Sequence, residues 1–157
     1  MNPIEKIKNL FTNHKKFFSI VTEEPLKETF VYYIFLAIIN LGLTFITIQI
    51  FLPYKFLGSW IVSLVMVFIV SGIMHIFLQL LKKADIHDYE STLKILIYAS
   101  TPYILLSWIP IVRIIGTICM FYFVFIGLKQ NYETNTIETV ITLLSPFIVG
   151  LVLVLLF

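Results

Sequence analysis

The fold class predicted by the sequence is an all-α integral membrane protein: a five-helix transmembrane bundle preceded by an amphipathic, interfacial amino-terminal helix. Three observations predict it. Of 157 residues, 59% are hydrophobic and only 13% charged, with a mean hydropathy of +0.98, where a soluble domain carries roughly 25% charged residues. The charges are segregated, which leaves residues 29–54 and 56–81 free of Lys, Arg, Asp and Glu. At a rise of about 1.5 Å per residue, either run can cross a hydrocarbon core of ~30 Å. Finally, prolines stand inside apolar runs beside hydroxyl residues, as in Tyr98-Ala99-Ser100-Thr101-Pro102. A proline in a spanning helix removes a backbone hydrogen bond and bends the rod, so neighbours must absorb the freed carbonyl. Ser100, Thr101 and Ser107 are placed to do so, and this segment is expected to be the bent central helix around which the other four spans pack.

In chain order, residues 1–28 form a cytoplasmic unit of amphipathic helix and turn. Ile4, Ile7, Leu10/Phe11, Phe17/Phe18 and Val21 recur at near-helical spacing opposite Lys6, Lys8, Lys15 and Lys16. Such a helix is expected in the headgroup plane, its Phe-rich side against the acyl boundary and its lysines on the membrane surface or a partner. It lacks the apolar core and cleavage site of a secretory signal. Glu23-Glu24-Pro25 then turns the chain into the membrane.

The membrane unit, 29–157, divides into spans of about 29–52, 56–81, 91–110, 114–128 and 139–157. Pro53-Tyr54-Lys55 is read as a turn, and Lys82 to Glu90 as a polar connector, with Asp88 and Ser91 as helix-starting residues. The third and fourth spans form a hairpin through Ile109-Pro110-Ile111-Val112-Arg113, kinked in the third and short in the fourth. Pro102, Pro110 and Pro146 are the expected kinks, and Gly127 and Gly150 the points of close helix approach.

With the amino terminus inside, the cytoplasmic segments hold Lys6, Lys8, Lys15, Lys16, Lys27, Lys82, Lys83, Lys94 and Lys129, against Lys55 and Arg113 outside; nine of the eleven basic residues thus fall on one side. That bias sets a cytoplasmic amino terminus and a carboxyl terminus on the outer face. A net charge of +2 makes no case for nucleic acid as a partner, and Cys119, the single cysteine, cannot form an internal disulfide.

His75 is the one titratable side chain well inside a span, roughly 10 Å below the cytoplasmic boundary. Ser71, His75 and Gln79 share a face of the second span, and Tyr33, Ala37, Asn40, Thr44 and Thr47 form a comparable stripe on the first. His75, Asn40, Ser71 and Gln79 with Tyr98 and Thr101 make the candidate intramembrane polar site, since such groups point into the bundle. One reading is a polar cavity open to the cytoplasm with His75 as its ligand or proton group. The plainer reading, and the favoured one, is an interhelical hydrogen bond from His75 to Asn40 or Tyr98, worth ~1 kcal/mol. Arg113 either snorkels to outer headgroups, the default for a long basic side chain at a span end, or binds an anion. Asp85, His87, Asp88 and Glu90 lack the convergence a zinc site needs, so no metal and no cofactor are expected. No span contains Asp or Glu, which weighs against intramembrane enzymes and proton-coupled carriers.

The order of these pieces resembles the Yip family, the Ypt/Rab-interacting membrane proteins, in its short prokaryotic form. The matching residues are Phe17-Phe18, Glu23-Glu24-Pro25, His75, the Tyr98–Pro102 box, Ile109-Pro110, Gly127-Leu128-Lys129 and Ser145-Pro146. The resemblance covers nearly the whole chain, and the Tyr-Ala-x-x-Pro…Ile-Pro spacing is its most specific part. It implies a five-span protein with a cytosolic amino terminus. Eukaryotic members associate with prenylated Rab-type GTPases and with one another in vesicle trafficking and membrane shaping. The chain's brevity and Lys- and Ile-rich composition point to a prokaryotic cell membrane. A non-enzymatic scaffold or adaptor is therefore expected, its partners the bilayer, a membrane or cytosolic protein, or a second copy of itself. The alternative is a small channel, carrier or lipid-handling protein built on a polar cavity near His75.

Overall fold

In the computed structural model the backbone is described for residues 1–48, 53–85 and 88–156, and the side chains for 1–44, 58, 61–85, 88–109 and 111–156. Thr47 and His87 therefore lie outside the described side chains.

The described residues form helices α1 (Pro3–Thr12), α2 (His14–Val21), α3 (Leu26–Ile48), α4 (Pro53–Leu80), α5 (Tyr89–Ala99), α6 (Thr101–Leu106), α7 (Pro110–Asn131) and α8 (Thr136–Leu156). Four of these, α3, α4, α7 and α8, contain stretches long and apolar enough to cross a membrane. α1 starts in a reciprocal cap, Asn2 Oδ1 accepting from the Glu5 amide at 2.9 Å and the Glu5 carboxylate from the Asn2 amide at 3.2 Å. Asn135 and Glu138 repeat the device at the start of α8. α4 stops at Lys82, whose φ of 56° is left-handed, and the Lys83 amide reaches back to the Leu78 carbonyl at 2.9 Å.

The central segment is interrupted just before its proline. α5 and α6 are separate helices meeting at Ser100, and every residue from Thr92 to Pro102 is buried. The carbonyl that loses its partner to Pro102 is that of Tyr98, and Thr101 Oγ1 donates to it at 2.6 Å. The same solution recurs in α8, where Pro146 frees the Thr142 carbonyl and Ser145 Oγ donates to it at 2.7 Å. A hydroxyl one residue before the proline thus restores the missing bond in both helices. Pro110 acts differently: it is the first residue of α7, where its missing N–H costs nothing.

Several expectations need correction. The fourth span is not short: α7 extends from Pro110 through Lys129 to Asn131, because charged residues at its ends do not interrupt helical hydrogen bonding. The hairpin turn consequently lies at Ser107–Ile109, before Pro110. Pro53 opens α4 rather than a turn. The amino-terminal helix is split at Asn13, and its Phe-rich side is not turned to lipid. Leu10, Phe17, Phe18 and Val21 are at most 1% exposed and join the protein core with Ile95, Tyr98, Phe123 and Leu128. The bundle offers these side chains close-packed contacts that fluid acyl chains cannot match.

Glycine explains the tightest packing. A Cβ at Gly127 would fall 2.6 Å from Ile95 Cγ2 and 3.2 Å from the Phe18 ring, so α7 lies directly on α5 and α2 there. Gly116, which sequence reasoning passed over, does the same against α6, 2.9 Å from the Pro102 carbonyl oxygen. Gly150, in contrast, has nothing within 4 Å and is no contact point within the chain.

Candidate functional site

The polar residues gather in three separate places. The first surrounds the break between α5 and α6. Lys6, exposed at only 2%, reaches inward from α1, pairs with Glu24, lies 3.7 Å from Glu28 and donates to the Tyr98 hydroxyl at 3.0 Å. The Tyr98 hydroxyl donates in turn to the Glu24 carboxylate at 2.9 Å. The Lys6 ammonium stands 5.5 and 5.9 Å from the ring centroids of Tyr98 and Tyr32, and the Phe17 ring meets Tyr98 edge-on. Tyr32 and Thr101 share a hydrogen bond of 2.8 Å. The arm before the first span is thereby fastened to the centre of the bundle. Lys6 is thus no surface lysine: it is withdrawn by the Glu24 carboxylate and two aromatic faces, while Lys8, Lys15 and Lys16 are exposed.

The second place lies near the far end of α4. His75 Nε2 lies 3.1 Å from the Gln79 amide nitrogen, and Nδ1 lies 3.1 Å from Thr92 Oγ1. An amide nitrogen can only donate, so Nε2 accepts and Nδ1 carries the proton. The chain of donors then runs from Nδ1–H to Thr92, from Thr92 to Tyr132 at 2.6 Å, and from Tyr132 to the Asp88 carbonyl at 3.0 Å. Ser71 joins α4 to α5 through the Tyr89 hydroxyl at 3.0 Å, and the Tyr89 ring meets His75 edge-on. Tyr132, at the carboxyl end of α7 and outside the spans, has its phenol pushed up to about 12 by burial, with the Thr92 hydrogen bond opposing in part. His75 therefore does bond between helices, but to Thr92 and not to Asn40 or Tyr98.

The third place is a cavity of about 540 Å³ bounded by α3, α4, α5, α6 and α7. Asn40 lines it, donating to the Ile104 carbonyl and, at 2.9 Å, to Ser107 Oγ. Arg113 also lines it, donating to the Tyr103 hydroxyl at 2.6 Å with its guanidinium 5.3 Å from that ring. His75 is not among its lining residues, so the polar residues proposed as one site do not converge. The cavity also lies toward the turn between α6 and α7, opposite the Lys82–Lys83 end where an opening was expected.

A family model for the Yip1 domain matches residues 8–157. The chain belongs to that family. No curated protein and no solved structure matches it. The Yip1 assignment covers every element from α2 onward and includes both Glu24 and the Tyr98–Pro102 box, which the structure joins through the Tyr98–Glu24 hydrogen bond. In this Yip1 domain the residues that sequence reasoning missed are the partners: Glu24, Tyr32, Thr92, Tyr132 and Lys94. Lys94 is buried, pairs with Glu90 at 2.7 Å and donates to the Thr22 carbonyl at 3.0 Å. Glu24 stood in a noted motif but served there only as a helix breaker. Nothing in the sequence around Lys94 signals that the end of α2 covers it. No group of three metal-ligating side chains is present among the described residues.

Proposed function

We propose that this Yip1 domain is a non-enzymatic scaffold or adaptor in a cell membrane. The observation that carries the reading is the docked amino-terminal arm. Fastened through Lys6, Glu24 and Tyr98, it displays Lys8, Lys15 and Lys16 on a surface of fixed position rather than on a free tail. A preorganised basic face suits an acidic partner, a protein or a second copy of the chain, because less ordering entropy is lost on contact. The acids of the helices read as crossing stand only in their first turns, Glu28 in α3, Glu90 in α5 and Glu138 in α8, and none lies deep in a span, which supports a binding role over hydrolysis or proton-coupled transport.

The same reading gives the chain five crossings, with its amino terminus cytoplasmic and its carboxyl terminus outside. α5 and α6 together provide the third. They run beside α7 from Asp88, which accepts from Tyr132 at one end, to Tyr103, which abuts Gly116 towards the other. Being broken and wrapped in protein, this pair need not be long or apolar like the four outer helices. The satisfied His75 chain favours a structural role for that histidine over a carrier site.

The test is co-purification from the native membrane in mild detergent. A triple variant K8Q/K15Q/K16Q, with Lys6 left intact to preserve docking, should lose a stoichiometric protein partner that wild type and His75→Ala both retain. Retention by the triple variant, or loss in His75→Ala with normal folding, would refute the adaptor.

A further inference from the structure

The cavity at Arg113 does not stand alone. A second cavity of about 260 Å³ shares Met66, Val70, Leu96 and Met120 with it and continues along α7 to Val124 and across to Pro146 and Phe147 of α8. Every residue lining the second is apolar. From Arg113 to Val124 the two extend over roughly 16 Å of helix by the usual rise. The first alone lies within the roughly 300–1,000 Å³ of typical ligand sites.

Polarity changes along that length. At the Arg113 end stand hydrogen-bonding side chains, including Tyr103, Ser107, Asn40 and Thr44; deeper in, methionines and aliphatic residues form the wall. Methionine walls adapt to a flexible chain better than branched ones. No Asp or Glu lines either cavity, and among the described residues Arg113 faces the Tyr103 hydroxyl and no carboxylate. A guanidinium so placed is matched by phosphate oxygens, which take its paired N–H groups. Met66, on the wall of both cavities, is half exposed, so the space is open rather than sealed.

We propose that the joined cavities hold one anionic phospholipid, its phosphate on Arg113 and Tyr103 and one acyl chain among Met66, Met120 and Val124. The absence of any lining carboxylate to pair with choline selects against a zwitterionic headgroup. The site is separate from the basic arm and independent of the adaptor reading.

The test is native mass spectrometry of the delipidated full chain with dioleoyl phosphatidylglycerol or dioleoyl phosphatidylcholine. Wild type should retain one phosphatidylglycerol in roughly tenfold preference to phosphatidylcholine, whose trimethylammonium finds no lining carboxylate. Arg113→Gln should remove that preference, and Met120→Trp or Val70→Phe, by filling the apolar space, should lower retention of both lipids. Arg113 is exposed, so R113Q keeps the test decisive if a filling variant fails to fold. Equal retention of the two lipids by wild type would overturn the proposal. So would unchanged preference in R113Q, or normal retention in both folded filling variants. Displacement of the lipid by glycerol 3-phosphate alone would replace it with a site for a free anion.

Discussion

Replacing Lys6 by Met removes a buried charge while keeping most of the stem that packs on Tyr32 and Tyr98. Two unit charges in contact at an effective dielectric near 20 attract by about 4 kcal/mol, part of which repays desolvation. Removing one member of a buried pair costs roughly 3–5 kcal/mol because the other stays behind uncompensated. Glu24 is 12% exposed at its side chain and keeps the Tyr98 hydroxyl at 2.9 Å, so the lower end applies, about 3 kcal/mol. That energy holds the arm, so the loss is local. Hydrogen exchange in detergent should show the α1 and α2 amides opening on the order of a hundredfold more often, with α4 and α7 unchanged. The double variant K6M/E24Q removes the orphaned charge and should recover about 2 kcal/mol, a coupling readable in a double-mutant cycle. A rise in exchange below about threefold would refute the reasoning. Lys6 would then behave as an exposed pair, with Phe17 and Phe18 alone holding the arm.

Three further outcomes follow from the packing. Gly127→Ala should cost about 1–3 kcal/mol through its clash with Ile95, whereas Gly150→Ala, in open space, should not destabilise; thermal melts of the pair check this. Thr101→Val leaves the Tyr98 carbonyl without a donor, at about 1–3 kcal/mol, and Thr101→Ser should restore most of it. Tyr132 keeps its proton in the fold until about pH 12 but in the unfolded chain only until near 10. Its contribution is therefore fully present below pH 10 and is lost as pH rises towards 12, so alkaline melts of Tyr132→Phe should fall less steeply than wild type.

What the sequence revealed is what one segment can show about itself. The outer spans announced themselves by composition, and the Thr101-Pro102 and Ser145-Pro146 pairs carried their own repair one residue away. Lys6 was misplaced because helical periodicity says which residues share a face, not whether that face meets lipid or protein. Arg113 and Lys129 bound the uncharged run without bounding the helix, because a helix passes through charges that snorkel or stack on a ring such as Tyr103. The bond from His75 reaches Thr92, 17 positions on, and the next reaches Tyr132, 40 positions further, and nothing local marks such pairings. Tyr33, Asn40 and Thr44 of one stripe do line the cavity with Arg113, but their meeting was not legible, because its walls come from five helices.

The wrapped segment of α5 and α6 has a consequence for biosynthesis. In the finished protein its neighbours shield it from lipid, but during synthesis it emerges before α7 exists. With Lys94 in its second turn and a break at Ser100, it is a poor candidate to leave the insertion machinery unaided, since a lysine deep in a helix resists partitioning. In the five-crossing reading proposed above, its crossing then depends on the α7 surface that follows, where Gly116 and Gly127 provide the seat. The centre of the bundle is therefore committed to the membrane only as α7 arrives, and the glycines of α7 decide whether it stays.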